Sequence, residues 1–149
     1  MSDEDMGKFH ERVLNNMERV GWNITGVSDS PSFTYSTGLS QYDIPEIIVS
    51  GLPMEVAAVF INNIGNKMKG GQKIELRKKY FDFTASGLPL MFIEVSEKEK
   101  KERMTVASFH FPDGFKACQL VWCDTNAKFP WEDGFEDKFL DKQSILGNI

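Results

Sequence analysis

The sequence is short of the side chains that carry most nucleophilic and metal chemistry. It holds two histidines and two cysteines among 149 residues, too few for a multi-ligand transition-metal site. Cys118 and Cys123 fall on one predicted strand, where a rise of about 3.3 Å per residue sets their Cα atoms about 16 Å apart, well beyond disulfide reach. They read as two half-buried thiols. No serine stands in a Gly-x-Ser-x-Gly elbow. The run from Gly65 to Gly71 imitates a phosphate-binding loop, but Gly71 occupies the lysine position and a helix precedes it, so a glycine helix stop is the simpler reading. Asp124, Asn126 and Lys128 begin a calcium-loop pattern that Phe129 and Phe135 break at the glycine and glutamate positions. Neither a metal nor a cofactor is expected.

Long apolar runs are missing as well. Nothing approaches the ~18 consecutive apolar residues of a membrane span. The opening residues, Met1 to Asp5, are acidic where a signal peptide is basic and then apolar. A cytoplasmic location away from membranes is expected, and Asn23 to Thr25 is then a chance match to a glycosylation acceptor. Basic residues are outnumbered: 17 Lys and Arg against 22 Asp and Glu leave a net charge of −5. That balance repels a phosphate backbone and disfavours a nucleic-acid polymer as partner.

What the chain does contain is apolar and aromatic content, 41% and 12%, enough for one domain, residues 1–149, with one core. Met6, Phe9, Val13, Met17 and Val20 recur at spacings of three and four, which predicts a helix over about 5–20 ended by Gly21. Strands are predicted over 22–27, 33–37, 46–50, 73–83 (one strand or a bent pair), 90–95 and 115–123. A second helix follows Pro53, with Val56, Val59, Phe60 and Ile64 as its buried stripe and Gly70 and Gly71 as its stop. Ser96 and Glu99 form a capping box that opens a third helix running to Phe111, its charged early face solvated. Beyond Asp124 the chain is loop-rich, with a short helix near 136–142. The expected class is α+β: an antiparallel or mixed sheet of about five to six strands packed with about three helices and a loop-rich C-terminal tail.

Candidate chemistry gathers in few places. His10 lies beside Phe9 on the first helix, where a surface role outweighs catalysis. His110 precedes Phe111 and Pro112 at a helix end, where a protonated imidazole complements the dipole. Glu46, Glu94, Asp124, Glu132 and Asp133 stand near strands or turns, and most such carboxylates are solvated or cap turns. Recognition chemistry is richer. Tyr35, Trp122, Phe129 and Trp131 offer flat faces for stacking, and Thr37, Gln119 and Asp124 offer hydrogen bonds at strand ends. The competing reading has Trp122 and Trp131 burying the tail against the sheet and Asp124 capping a turn.

These segments carry a resemblance. Gly21 and Trp22, Phe33 to Tyr35, Thr37 to Leu39, Pro45 and Glu46, Gly51 and Leu52, Gln119 to Trp122 with Asp124, Phe129 to Trp131, and the closing Gln143, Leu146 and Gly147 resemble a bacterial and phage family. It is the domain-of-unknown-function family number 4262. The resemblance spans about residue 20 to Gly147 and implies a compact cytoplasmic domain with no assigned activity or catalytic residues. Cys123 stands where the pattern has proline, which puts the turn at Asp124 in question. The turn from Thr37 to Pro45 is also similar, at fold level only, to flavin-reductase-like split barrels. No basic cluster beside it is suited to a flavin phosphate.

The function expected first is a small-ligand binding protein, for a ligand of nucleotide type, with Tyr35, Thr37, Gln119, Trp122, Asp124 and Trp131 as its lining. A phage or mobile-element protein that sequesters a host signal fits that size and the absence of catalytic machinery, while the net negative charge argues against it unless basic residues approach the site. Lys67, Lys69, Lys73, Arg77, Lys78 and Lys79 discriminate, since an anionic ligand requires them near the site. The alternatives are an acidic interaction or inhibitor module for a host protein, presenting Trp131 to Phe135, and a hydrolase or transferase using His110 or a carboxylate. Self-association stays open.

Overall fold

A computed structural model describes residues 2–149. Helix α1 (Asp3–Arg19) opens as helix chemistry dictates: the Ser2 hydroxyl accepts from the Asp5 N–H at 3.1 Å, and Asp3, Glu4 and Asp5 occupy the positive end of the dipole. Gly21, at φ +112°, turns the chain away from it. The buried stripe is narrower than the spacing predicts. Val13 and Met17 are covered and Phe9 partly so, while Met6 is 41% and Val20 65% exposed, because the helix meets the sheet through its central turns.

Strands β1 (Asn23–Val27), β2 (Phe33–Thr37), β3 (Glu46–Ser50), β4 (Lys79–Tyr80), β5 (Leu90–Val95), β6 (Ala117–Trp122) and β7 (Gly147–Asn148) form one mixed sheet. Its order is β1-β2-β3-β6-β5-β4, and β7 shares the outer edge of β5 with β4. Every pairing is antiparallel except β3 with β6. The class is α+β, as the sequence predicts. The predicted strand over 73–83 contracts to β4. Arg77 takes φ 65° there, and consecutive Arg77, Lys78 and Lys79 give the run no inward face.

Helix α2 (Met54–Lys69) covers one face of the sheet, meeting Trp22, Leu39, Ile47, Val49, Phe92 and Leu120. Its buried residues are Ala57, Ile61, Ile64 and Gly65, whereas Val56 and Val59 are 43% and 58% exposed. The rotation relative to the predicted stripe follows from size. A Cβ on Gly65 would stand 3.2 Å from the Trp22 ring and 3.3 Å from Leu39, so this glycine is the side on which α2 comes closest to the core.

The predicted third helix is two, α3 (Glu97–Arg103) and α4 (Thr105–His110), broken at Met104 (φ −95°, ψ 52°). The Ser96 cap holds, its hydroxyl accepting from the Glu99 N–H at 3.2 Å. Met104 is fully buried among Tyr35, Ile48, Val95 and Leu146 on the second face, and the break points it there. The tail occupies the rest of that face: Phe129 packs on Met91, Ile93 and Val121. A single 3-10 turn, Asp137–Phe139, replaces the short helix predicted near 136–142.

Two glycines admit the tail. A Cβ at Gly51 would stand 1.8 Å from the Lys142 carbonyl oxygen, and one at Gly147 1.7 Å from that of Glu94. Gly51→Ala is expected to cost more than about 3 kcal/mol in urea unfolding, because backbone must move and φ is positive. Gly87→Ala, also at positive φ but with nothing within 4 Å, should cost about 1–2 kcal/mol. Equal losses would show that the close approach at Gly51 is not what holds the tail.

Candidate functional site

The sequence-predicted site residues do not converge on one cavity. Tyr35 is buried on β2, and its hydroxyl accepts from the Val106 N–H at 3.0 Å, fixing the start of α4. Burial pushes its pKa up against the hydrogen bonds around it. Thr37 is fully buried, and its hydroxyl has no hydrogen-bond partner among the described residues. Gln119, Trp122, Asp124 and Trp131 are engaged with the tail.

Their bonds are specific. Gln119 donates from Nε2 to the Ser144 carbonyl (2.6 Å) and accepts at Oε1 from the Leu146 N–H (2.8 Å). Gln143 reciprocates, accepting from the Trp122 N–H and donating to the Trp122 carbonyl, each at 3.1 Å. The Trp122 indole donates to the Ser50 carbonyl at 2.7 Å, and the Ser50 hydroxyl accepts from the Ser144 N–H at 2.9 Å. Trp131 stacks on Phe129 with ring centroids 5.3 Å apart. Trp122 meets Phe139 edge-on with centroids 5.9 Å apart, so both half-buried tryptophans touch aromatic side chains of the tail.

Asp124 is buried and closes a turn, accepting from the N–H groups of Asn126, Lys128 and Glu136 at 2.8–2.9 Å. Burial pushes its carboxyl up, but the N–H groups and the Lys128 charge together outweigh it and hold it below the usual range. Glu132 is held low by the Phe129 N–H and Lys79, and Glu136 by the Thr125 hydroxyl and Lys138, in both cases against a smaller effect of burial.

A second clamp shapes the turn between β2 and β3. Glu46 is fully buried, and its carboxylate accepts from the Ser36 hydroxyl (2.7 Å), from the N–H groups of Gly38 (3.1 Å), Leu39 (3.2 Å) and Ser40 (2.9 Å), and from the Ser40 hydroxyl. All these partners are donors, which suits a carboxylate and not an amide. Pro45 beside it is thereby fixed at the edge of the open space described next.

That space is a groove at one end of the sheet. Because β6 runs parallel to β3 and antiparallel to β5, the starts of β3 and β6 and the end of β5 meet there. Two adjoining cavities of about 800 and 440 Å³ share Pro45, Ile74, Leu76 and Cys118. Phe115 and Val95 extend the apolar lining, and Tyr42, Gln72 and Lys73 border the smaller part. The Cys118 thiol is pushed up to about 12, by burial first and then by the Glu46 charge, so it lines the groove as a neutral group.

Charges of both signs rim the groove. Lys100 is 8% exposed, and its ammonium donates to the Phe115 carbonyl at 2.6 Å and pairs with Glu97 at 2.7 Å. Lys73 and Lys116 form no ion pair among the described residues, and Asp43, Glu94 and Asp113 also line the groove. Sequence reasoning misses this site because Ile74 and Leu76, apolar at alternate positions among charges, read as part of a strand.

Elsewhere, His10 Nδ1 and His110 Nε2 face each other at 3.1 Å, joining α1 to α4. Burial and the neighbouring His10 lower the His110 pKa. His110 is therefore a ring packed between two helices, outside the groove.

Two measurements check the clamps. Glu46→Gln is expected to lose about 2 kcal/mol or more in urea unfolding, since an amide N–H₂ must face donors, whereas Ser36→Ala should lose about 1 kcal/mol. For the tail, a carboxylate with a depressed folded-state pKa adds stability that is present above its unfolded pKa and lost as pH falls through the folded value. With Asp124, Glu132 and Glu136 all held low, the melting temperature should fall as pH drops below about 4.5. Asp124→Asn should flatten that fall, and an unchanged slope would remove Asp124 from the account.

Among the described residues no helix is long and apolar enough to cross a membrane, and no group of three or more His, Cys, Asp or Glu could hold a metal ion. No curated protein and no solved structure matches the chain. Residues 16–136 match the model of the family described as Domain of unknown function (DUF4262); the motifs of that stretch are the ones that clamp the β2–β3 turn and receive the tail, and the chain belongs to this family.

Proposed function

We propose that the protein is a binding protein that holds a small, largely apolar ligand with at most one anionic group in the groove at the starts of β3 and β6. The observation that carries this is the pair of adjoining cavities with an apolar lining of Pro45, Ile74, Leu76 and Phe115 and a rim of mixed charge. Binding is favoured over covalent chemistry at Cys118 because that thiol is held neutral by burial and the Glu46 charge.

The basic stretch argues for the restriction on charge. Of Lys67, Lys69, Lys73, Arg77, Lys78 and Lys79, only Lys73 borders the groove. Lys67 and Lys69 lie over the rings of Phe83 and Tyr42, Lys78 pairs with Glu75, and Lys79 pairs with Glu132. A polyphosphate would meet Lys73, Lys116 and the already paired Lys100 against Asp43, Glu94 and Asp113. A nucleoside or another planar apolar body suits this rim better than a nucleotide. In the Trp131–Phe135 patch nominated for the interaction module, Phe135 is buried and Glu132 is bonded to the Phe129 N–H and Lys79, which supports the groove reading over it.

Native mass spectrometry on protein purified from its natural host should show a retained species of a few hundred daltons that denaturation releases. Leu76→Trp fills the groove from a side chain that is 40% exposed and should abolish retention with melting unchanged. An empty protein whose amide NMR signals over 71–76 and 113–118 stay still in a fragment screen would overturn the reading.

A further inference from the structure

We propose that His10 and His110 form a binding site for a late first-row divalent cation, zinc, nickel or copper, that clamps α1 to α4. The site lies apart from the groove and does not depend on what the groove holds.

Geometry makes the case. Imidazole nitrogens bind these ions at about 2.0–2.1 Å, so two of them at angles between square-planar and tetrahedral lie about 2.9–3.4 Å apart. The facing nitrogens, His10 Nδ1 and His110 Nε2, are 3.1 Å apart. They come from different elements, and both rings are half-buried, which leaves a side open for water to complete the coordination. With no ion bound, the same two nitrogens share one N–H···N hydrogen bond, and the ion takes the place of that proton.

The rings are also restrained. His10 stacks on Phe109 with centroids 3.7 Å apart and meets the edge of Phe9 at 5.2 Å, while Phe109 meets His110 edge-on at 5.1 Å. Phe109 is itself 60% exposed, and the imidazole is what it packs on. Two oriented imidazoles lose little freedom on taking up an ion. Among the described residues no third histidine, cysteine or carboxylate joins them. The site therefore binds more weakly than a four-ligand structural zinc site and discriminates against magnesium and calcium, which favour oxygen ligands. A clamp matters here because Val13 and Met17 are the buried residues of α1.

The test uses untagged, EDTA-treated protein titrated at neutral pH with zinc, nickel, copper and magnesium chlorides, read by calorimetry and thermal melting. One zinc, nickel or copper ion per chain is expected, with the melting temperature raised by about 3–6 °C near saturation and no effect of magnesium. His10→Gln and His110→Gln should each weaken binding at least about tenfold while keeping the circular dichroism of the parent. Absence of binding up to millimolar zinc, nickel and copper overturns the proposal, as does binding unchanged in both variants. Should a variant fail to fold, electron paramagnetic resonance of the copper-loaded parent decides. Nitrogen hyperfine coupling is expected, and a spectrum without it overturns the assignment.

Discussion

Covering half of one sheet face with irregular chain is difficult because each buried N–H and C=O needs a partner that a helix or strand would have supplied. Here two carboxamides solve it. Gln119 pairs with the tail, and Gln143 on the tail pairs with both backbone groups of Trp122. A carboxamide carries a donor and an acceptor side by side, as a peptide group does, so each glutamine completes a ladder that lacks a strand. β7 follows directly on the segment these amides hold in register, and the Ser144 N–H within that segment bonds the Ser50 hydroxyl.

Glu46 does the corresponding work where β2 passes into β3. A fully buried carboxylate is costly when alone, and five donated hydrogen bonds offset that cost while tying Ser36 and the 38–40 turn to one point. The groove begins one residue away, at Pro45, and Cys118 across the parallel pairing feels the same charge. The open space at the sheet end thus rests against rigid backbone on its β3 side. On the other side stands the 71–76 loop, which follows the glycine stop of α2.

How much of this is legible from sequence depends on the range of the interaction. Helix α1, the Ser96 cap, the glycine stop after Lys69 and most of the strands are local matters of spacing and capping, and they appear where the pattern puts them. The errors arise where tertiary contact decides. Gly65 and not Val56 or Val59 faces the core because Trp22 lies opposite. Met104 breaks a helix that is locally continuous because a pocket beside Tyr35 takes its side chain. The aromatic and amide residues that look like a lining are prominent in the sequence, but Gln119, Trp122 and Asp124 bind the chain's own backbone. The groove is the reverse, built from Ile74, Leu76 and Phe115, whose residue types carry no chemical signature.

The sharing of one β5 edge by β4 and β7 has a consequence for the order of assembly. A sheet edge with free backbone groups is a template for pairing with another chain; β4 covers the edge of β5 at Leu90 and Met91, and the Arg77 N–H covers the Phe92 carbonyl. Glu94 and Val95 wait for Gly147 and Asn148, which leave the ribosome after every other strand. During synthesis, then, an apolar strand with a half-open edge exists for as long as the roughly fifty residues from Val95 to Gly147 take to emerge, about 3–10 seconds at about 5–20 residues per second. The short closing strand is the element that ends the interval in which two growing chains can join edge to edge.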